Sequence, residues 1–316
     1  MAPDVVALAG GVGGAKLAHG LALNGYGERL AVVVNTGDDF TLWGLHISPD
    51  LDTVLYTLGG IANPATGWGV AEDSLVTLEM LGTYGVDTWF MLGDKDLATH
   101  ILRTARLREG ESLTAIMADL ALALGIEARL LPMTDDPVAT KVRTPAGLLD
   151  FQEYFVRRRH ADDVHEIIFD GIESATVPDG VGSALASADI IVICPSNPFV
   201  SVDPILQTGD MRARISRSGA PVVAVSPIIG GEAVKGPAAQ MLASLGHDVS
   251  ALGVAAYYRD LVDVLIIDET DRALAGAIAE LGVEVAVTNT LMWTDDDRRE
   301  LARFTVDAGL RMTVPS

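Results

Sequence analysis

The chain has 316 residues, 49% of them hydrophobic and 21% charged, which is enough apolar material for a large packed core and too much for a disordered chain. Its 43 acidic and 22 basic residues give a net charge of −21, which argues against nonspecific binding to nucleic acid or to anionic membranes. Cys194 is the only cysteine, so no intrachain disulfide is possible and a reducing, cytoplasmic setting is expected.

The first apolar run, Val5–Ala9, leads directly into glycines and reads as a strand rather than a signal peptide. The stretch "ALAGGVGGAKLAHGL" then sets Gly10, Gly11, Gly13 and Gly14 around Val12, ahead of a helical pattern over 15–23. Neither familiar phosphate template fits. A Walker A loop would have glycine and a hydroxyl where Ala15 and Leu17 stand, and the dinucleotide fingerprint is broken by Lys16. The glycines still permit close backbone approach, and a helix N-terminus favours an anion. The plain alternative is a tight turn that binds nothing.

A second β-branched run, Leu30–Val34, completes a strand–helix–strand unit and implies a parallel sheet. After it come "NTGDDF" and "HISPDLDTVLY", which gather Asp38, Asp39, Asp50 and Asp52. Carboxylates beside a phosphate site need a bridging cation, and magnesium is the usual one. Asp50 or Asp52 could instead cap the helix that begins near Thr53.

Residues 61–175 read as a mostly helical insertion in a core made of residues 1–60 and 176–316. Helical patterns cover 74–81, 97–108 and 113–124, and alternating segments cover 128–133 and 139–143. Within the insertion, "LGDKDLATHILR" places Lys95 at an exposed tip, with Asp96 as cap of the helix carrying His100 and Arg103.

Further buried strands are expected over 189–194, 221–225, 262–267 and 283–287, making the fold class α/β, a Rossmann-like doubly wound parallel sheet. "CPSNPFVS" and "SPIIGGEAVKGP" follow two of these strands and would aim Ser196, Asn197 and Ser226 into one crevice. The six histidines show no zinc spacing, no G-x-S-x-G elbow is present, and Cys194 reads as an inert buried thiol.

Taken in order, "GGVGGAKL", "VVVNTGDD", "ISPDLDTVLYTLGG", "LGDKDLATHILR", "LPMTDDPVATKV", "FQEYFV", "PSNPFVSVDPIL", "VSPIIGGEAVKGPA", "LGVAAYYRD" and "NTLM" resemble the 2-phospho-L-lactate transferases of coenzyme F420 biosynthesis. The resemblance implies transfer of a phospholactyl or phosphoenolpyruvyl group from a guanosine diphosphate-linked donor. The acceptor is the terminal ribityl hydroxyl of the deazaflavin Fo, and the products are F420-0, or its dehydro form, and GMP. It also implies Mg2+ and a homodimer.

Carried over by position, Gly10, Gly11, Gly13 and Gly14 face the diphosphate, with Ser196, Asn197, Ser226 and Gly230 framing the nucleotide. Asp39 and Asp52 are the catalytic candidates, and Asp38, Asp39 and Asp52 the metal candidates. Fo would lie against Asp50, Asp52, Lys95 and His100. The family usually has arginine where this chain has Lys95, which keeps the charge and loses the planar fork. A nucleotide-sugar-binding regulator of a related family is the alternative. A dehydrogenase is weaker, because Asn35 rather than an acidic residue follows the second strand.

Overall fold

The computed structural model describes residues 3–312. Its central sheet has seven parallel strands: β1 (Val5–Ala9), β2 (Leu30–Val34), β3 (Arg129–Pro132), β4 (Ile190–Ile193), β5 (Val222–Val225), β6 (Val264–Ile267) and β7 (Glu284–Val287). Their spatial order is β7-β6-β5-β4-β1-β2-β3, so the winding reverses between β1 and β4. A crevice opens at the carboxyl ends of strands at such a reversal, and the loops after β1 and β4 form its walls.

The inner strands are continuous apolar runs because both faces of the sheet are covered. In β1, Val6 and Leu8 enter one core while Val5, Ala7 and Ala9 enter the other, and β2, β4, β5 and β6 alternate in the same way. The edge strands are less covered, with Arg129 opening β3 and Glu284 opening β7, both exposed. Charged residues at these edges discourage pairing with another chain.

Five helices precede the strands after β2 or link β1 to it: α1 (Gly11–Leu23), α2 (Pro49–Leu58), α3 (Val76–Thr83), α4 (Asp94–Arg108) and α5 (Leu113–Ala123). α5 starts where expected, at Leu113, and the side chain of its N-cap residue Ser112 accepts from Ala115 N at 3.2 Å. A short hairpin, Phe40–Leu42 with Leu45–Ile47, precedes α2. Its two turn residues, Trp43 and Gly44, have φ of 51° and 79°, the left-handed pair that a tight hairpin demands.

The structure corrects the sequence reading at several places. The segment over 128–133, assigned above to the insertion, supplies β3 and pairs with β2 in the main sheet. Its isolated alternation gives no hint of that partner. The strand over Ala139–Thr144 does join a separate antiparallel sheet, with Gly147–Asp150 and Glu166–Asp170. Ser48 is the N-cap residue of α2, so Asp50 and Asp52 lie inside its first turn and neither caps it. Likewise α4 begins at Asp94, and Asp96 sits within its first turn. Among the described residues, no helix is long and apolar enough to cross a membrane.

The long helix Asp295–Met312 lies against α1 on one side and the sheet on the other, and one glycine allows each contact. A Cβ on Gly20 would stand 2.2 Å from the carbonyl oxygen of Arg298, and one on Gly309 would stand 2.4 Å from Ile190 Cδ1. Backbone cannot yield as a side-chain tip can. Gly20→Ala is therefore expected to destabilise the protein by about 1–3 kcal/mol, measured as a lower urea midpoint with an unchanged slope.

Candidate functional site

The register of the sheet brings the site together. Ala9 pairs with Val34, and Leu8 pairs with Ile193, so β1, β2 and β4 end side by side. One step further on, Asn35 N donates to Ala9 O at 3.1 Å and Cys194 N to Leu8 O at 3.0 Å. Gly10, Asn35 and Pro195 are the next residues out, at the mouth of the crevice.

Here the glycines of the first loop are required for packing. A Cβ on Gly13 would lie 2.4 Å from Pro195 O, and one on Gly14 would lie 2.5 Å from Ser196 Oγ. On Gly10 it would strike Asp50 Oδ2 and the Ser201 side chain, at 2.5 and 2.6 Å. Gly11 adopts φ of 61°, which few other residues accept. The amides of the turn are partly committed: Gly10 N donates to Ser196 Oγ at 3.0 Å, and Gly11 N to Asp50 Oδ1 at 2.7 Å. Ser196 Oγ in turn donates to Gly10 O at 2.8 Å.

Asp50 is thus an internal anion on the N-terminus of α1, where the helix dipole and an unsatisfied N–H favour negative charge. Its other oxygen, Oδ2, accepts from Asn35 Nδ2 at 2.9 Å. Asn35 Nδ2 also reaches Val200 O at 3.2 Å, and Asn35 Oδ1 accepts from Gly37 N at 2.8 Å. Asn35 is fully buried and ties three loops together, a role that sequence reading missed.

Beside this knot the carboxylates crowd. Asp38 is buried, and burial together with the Asp50 charge pushes its pKa well above the ordinary carboxylate range. Asp50 is pushed up to about 6, chiefly by burial, against the lowering effect of its bonds to Asn35 and Gly11. Asp39 is also raised by burial, while His46, Ser48 and Arg103 pull it back. His46 Nε2 lies 3.0 Å from Asp39 Oδ2, and Ser48 Oγ donates to the same oxygen at 2.5 Å. The second oxygens, Asp38 Oδ1 and Asp39 Oδ1, are buried without a hydrogen-bond partner.

A second polar knot lies between α2 and α4. The fully buried Arg103 grips both oxygens of Asp52, with Nη1 at 3.2 Å from Oδ2, and also donates to His46 O at 3.4 Å. His100 is buried between Asp52 and Asp96, its nitrogens 3.6 and 3.2 Å from their oxygens. Tyr56 donates to Asp96 Oδ1 at 2.6 Å. Asp52, Asp96 and His100 are spaced as a metal-ligand group, with one ligand atom from each all within 4.8 Å of one another. Arg103 already supplies a cation to the first of them.

The remaining expected residues are held in turns. Lys95 is exposed at the start of α4, its ammonium on Ala71 O at 2.9 Å, near a cleft of about 370 Å³ lined also by Tyr56, Val70 and Thr99. Ser226 Oγ spends its bonds on Ile228 of its own turn. Asn197 Oδ1 accepts from Phe199 N at 3.0 Å, and Gly230 N donates to Asp271. Lys16 bonds Met292 O at 2.9 Å and lies against the Trp293 ring, away from the carboxylates.

Comparison with known proteins gives this site a family. Residues 5–296 match the family described as 2-phospho-L-lactate transferase CofD. The chain belongs to the 2-phospho-L-lactate transferase family. Within that family, a 2-phospho-L-lactate transferase of Methanosarcina mazei is 40% identical over 96% of this chain and 100% of its own length. One from Methanocaldococcus jannaschii is 39% identical over 96% and 97%. A phosphoenolpyruvate transferase of Kitasatospora aureofaciens is 41% identical over 95% of each chain. The solved structure of protein BH3568 from Bacillus halodurans shares the fold, with a TM-score of 0.63, 16% identity and coverage of 97% of this chain and 100% of that one.

Two outcomes follow from the buried charges. Arg103→Met leaves Asp52 buried without its counter-ion and should cost about 3–5 kcal/mol in urea denaturation. Adding Asp52→Leu should return a measurable part of that loss. Asp50 binds a proton in the folded state at pH values where the unfolded chain, with its ordinary pKa near 3.8, has released it. Its contribution to stability is therefore full below about pH 4 and falls away as pH rises to about 6, by about 3 kcal/mol at most. Urea midpoints compared at pH 5 and pH 7 should show a smaller pH dependence in Asp50→Asn than in the parent protein.

Proposed function

We propose that this protein transfers a 2-phospho-L-lactyl or phosphoenolpyruvyl group from a guanosine diphosphate-linked donor to the terminal ribityl hydroxyl of Fo. The products are F420-0, or its dehydro form, and GMP, and the protein works as a homodimer in the cytoplasm. Membership of the transferase family over residues 5–296 supports the reaction class. The single structural observation behind the site assignment is the pair of buried, unpartnered oxygens on Asp38 and Asp39 at the switch-point crevice.

Those oxygens, with Asp50 beside them, are the donor set that a hard divalent cation prefers. Asp38 is the residue that would hold Mg2+, with Asp39 as a second ligand only where it is not the base, and the ion would supply charge compensation for the diphosphate. Asp52, bound to Arg103, is better suited to orienting α4 against α2 than to ligating the same ion.

The transfer is an in-line displacement. The acceptor hydroxyl oxygen forms a bond to the phosphorus that carries the lactyl or enolpyruvyl ester. The bond from that phosphorus to the oxygen bridging the diphosphate breaks, and GMP departs with that oxygen. The hydroxyl proton passes to a carboxylate. Asp39 suits this role: one oxygen is held by Ser48 and His46, the other is free, and burial raises its pKa toward that of a working base. A carboxylate bound to the metal is a poor base, so Asp39 serves as ligand or as base, not both.

Incubation of the protein with Fo, Mg2+ and each donor, followed by mass spectrometry of the product, tests the assignment. The lactyl and enolpyruvyl products differ by two hydrogens, and absence of both would end the proposal. Asp38→Asn should lower turnover at least about 100-fold, as loss of a charge-stabilising group does. It should also abolish the rise in melting temperature that Mg2+ gives the parent protein. The second readout does not depend on activity.

A further inference from the structure

Two glycine-bearing segments meet above the first turn of α1. One is the loop over 62–70, closed by a bridge between Ala62 and Val70 and by Gly67 N donating to Asn63 O at 2.8 Å. The other is the small hairpin Ile228–Ile229 with Glu232–Ala233, which continues into Lys235. Lys235 Nζ donates to Thr66 O, and this bond joins the two segments. The contact lies over the glycine turn, since a Cβ on Gly67 would stand 2.7 Å from Val12 Cγ1 and 3.5 Å from Lys235 Nζ.

Several features mark Lys235 as more than a surface lysine. Among the described residues neither it nor Lys16 has an ion-pair partner, although the chain carries 43 acidic residues. Lys235 and Arg298 both act electrostatically on Lys16, so cations converge on this side of α1 in a strongly acidic protein. The turn of the hairpin is anchored, where Gly230 N donates to Asp271 at 3.0 Å. Gly230 and Gly231, with φ of 59° and 82°, make the turn of the hairpin, and Gly236, with φ of 77°, follows Lys235, while Glu232, Val234 and Lys235 stand exposed. The exposed residues 232–235, set between this glycine turn and Gly236, can move while the turn stays fixed.

The crevice needs such a cation. Gly10 N–H and Gly11 N–H are already given to Ser196 and Asp50, and the one fully buried arginine is bound to Asp52. A diphosphate ester entering beside Asp38, Asp39 and Asp50 meets more negative charge than the turn's free amides offset.

We propose that Lys235 is a donor-binding residue that exchanges the Thr66 carbonyl for a phosphate oxygen, drawing the exposed segment 232–236 over the bound diphosphate. A neutral carbonyl is a weaker partner for an ammonium than a phosphate is, so the exchange is favoured once the donor arrives. The Thr66 bond then acts as the resting latch. This deepens the donor assignment made above and rests on it.

Calorimetric titration of the full chain with GDP and with guanosine, in Mg2+, tests the idea. Lys235→Ala should weaken GDP binding about tenfold and leave guanosine binding unchanged. Lys235→Arg should keep GDP affinity within about threefold of the parent, because it keeps the charge. GDP should also protect the parent protein from tryptic cleavage after Lys235. Equal GDP affinity in Lys235→Ala and the parent overturns the role of Lys235 while leaving the donor assignment standing. Equal weakening of GDP and guanosine overturns it too, since the segment would then act on the nucleoside. Failure of the parent to bind GDP at all overturns the donor assignment and the Lys235 proposal together.

Discussion

The carboxyl edge of the sheet is organised around Asp50. One of its oxygens takes Gly11 N–H at the start of α1, and the other takes the Asn35 amide at the end of β2. Asn35 reaches on to Val200 O in the turn that follows β4. Asp50 and Asn35 together therefore fix the relative positions of three loops that come from three different strands. Gly10 and Gly14 have no Cβ because the Asp50 and Ser196 side chains stand where one would go. The glycine turn has its shape because a carboxylate and a serine fill the space that a substrate phosphate would take in a simpler phosphate loop.

That arrangement has an electrostatic consequence. Asp50 holds the helix terminus that would otherwise attract anions, and it raises the pKa of Asp38 beside it. Asp39 adds a third carboxyl at the same place, with one oxygen spoken for and one bare. Three buried acids with a shortage of positive charge form an unstable group unless a cation arrives or protons are retained. The protein places its one fully buried guanidinium one layer behind, on Asp52, where it stabilises the packing of α4 on α2. The front of the crevice stays short of cations, which is the state expected of a site completed by a metal and its anionic ligand.

Much of this was legible in the sequence, and the limits have physical causes. β1, β2, β4, β5 and β6 were readable because strands covered on both faces must be continuous apolar runs. β3 was readable as a strand but not as part of the main sheet, because a short edge strand with an exposed Arg129 alternates like a strand of any small sheet. The aspartates after β2 were legible as a cluster because they are close in sequence. Their division of labour was not. Asp52 finds Arg103 from 51 residues away, and Asp73 accepts from Lys95 N and Asp96 N across 22 and 23 residues, taking the capping place assigned to Asp96. Nor does local pattern show that Ser226 closes its own turn while Ser196 bonds both the N–H and the C=O of Gly10.

The Bacillus halodurans structure shows how far the scaffold carries the chemistry. It superposes over 97% of this chain at 16% identity, which establishes a common fold and nothing about what is bound. A reversed winding supplies a crevice to every such protein. What the crevice does depends on the few side chains set at its mouth, and in this chain those are carboxylates held apart from their natural counter-ion. A site that needed only to hold a neutral or singly charged ligand would gain by pairing Arg103 with Asp38 or Asp39. The bare oxygens on both residues are costly in a site left without a ligand. They are reasonable under the proposed function, in which a cation would bridge these carboxylates and the diphosphate of the donor.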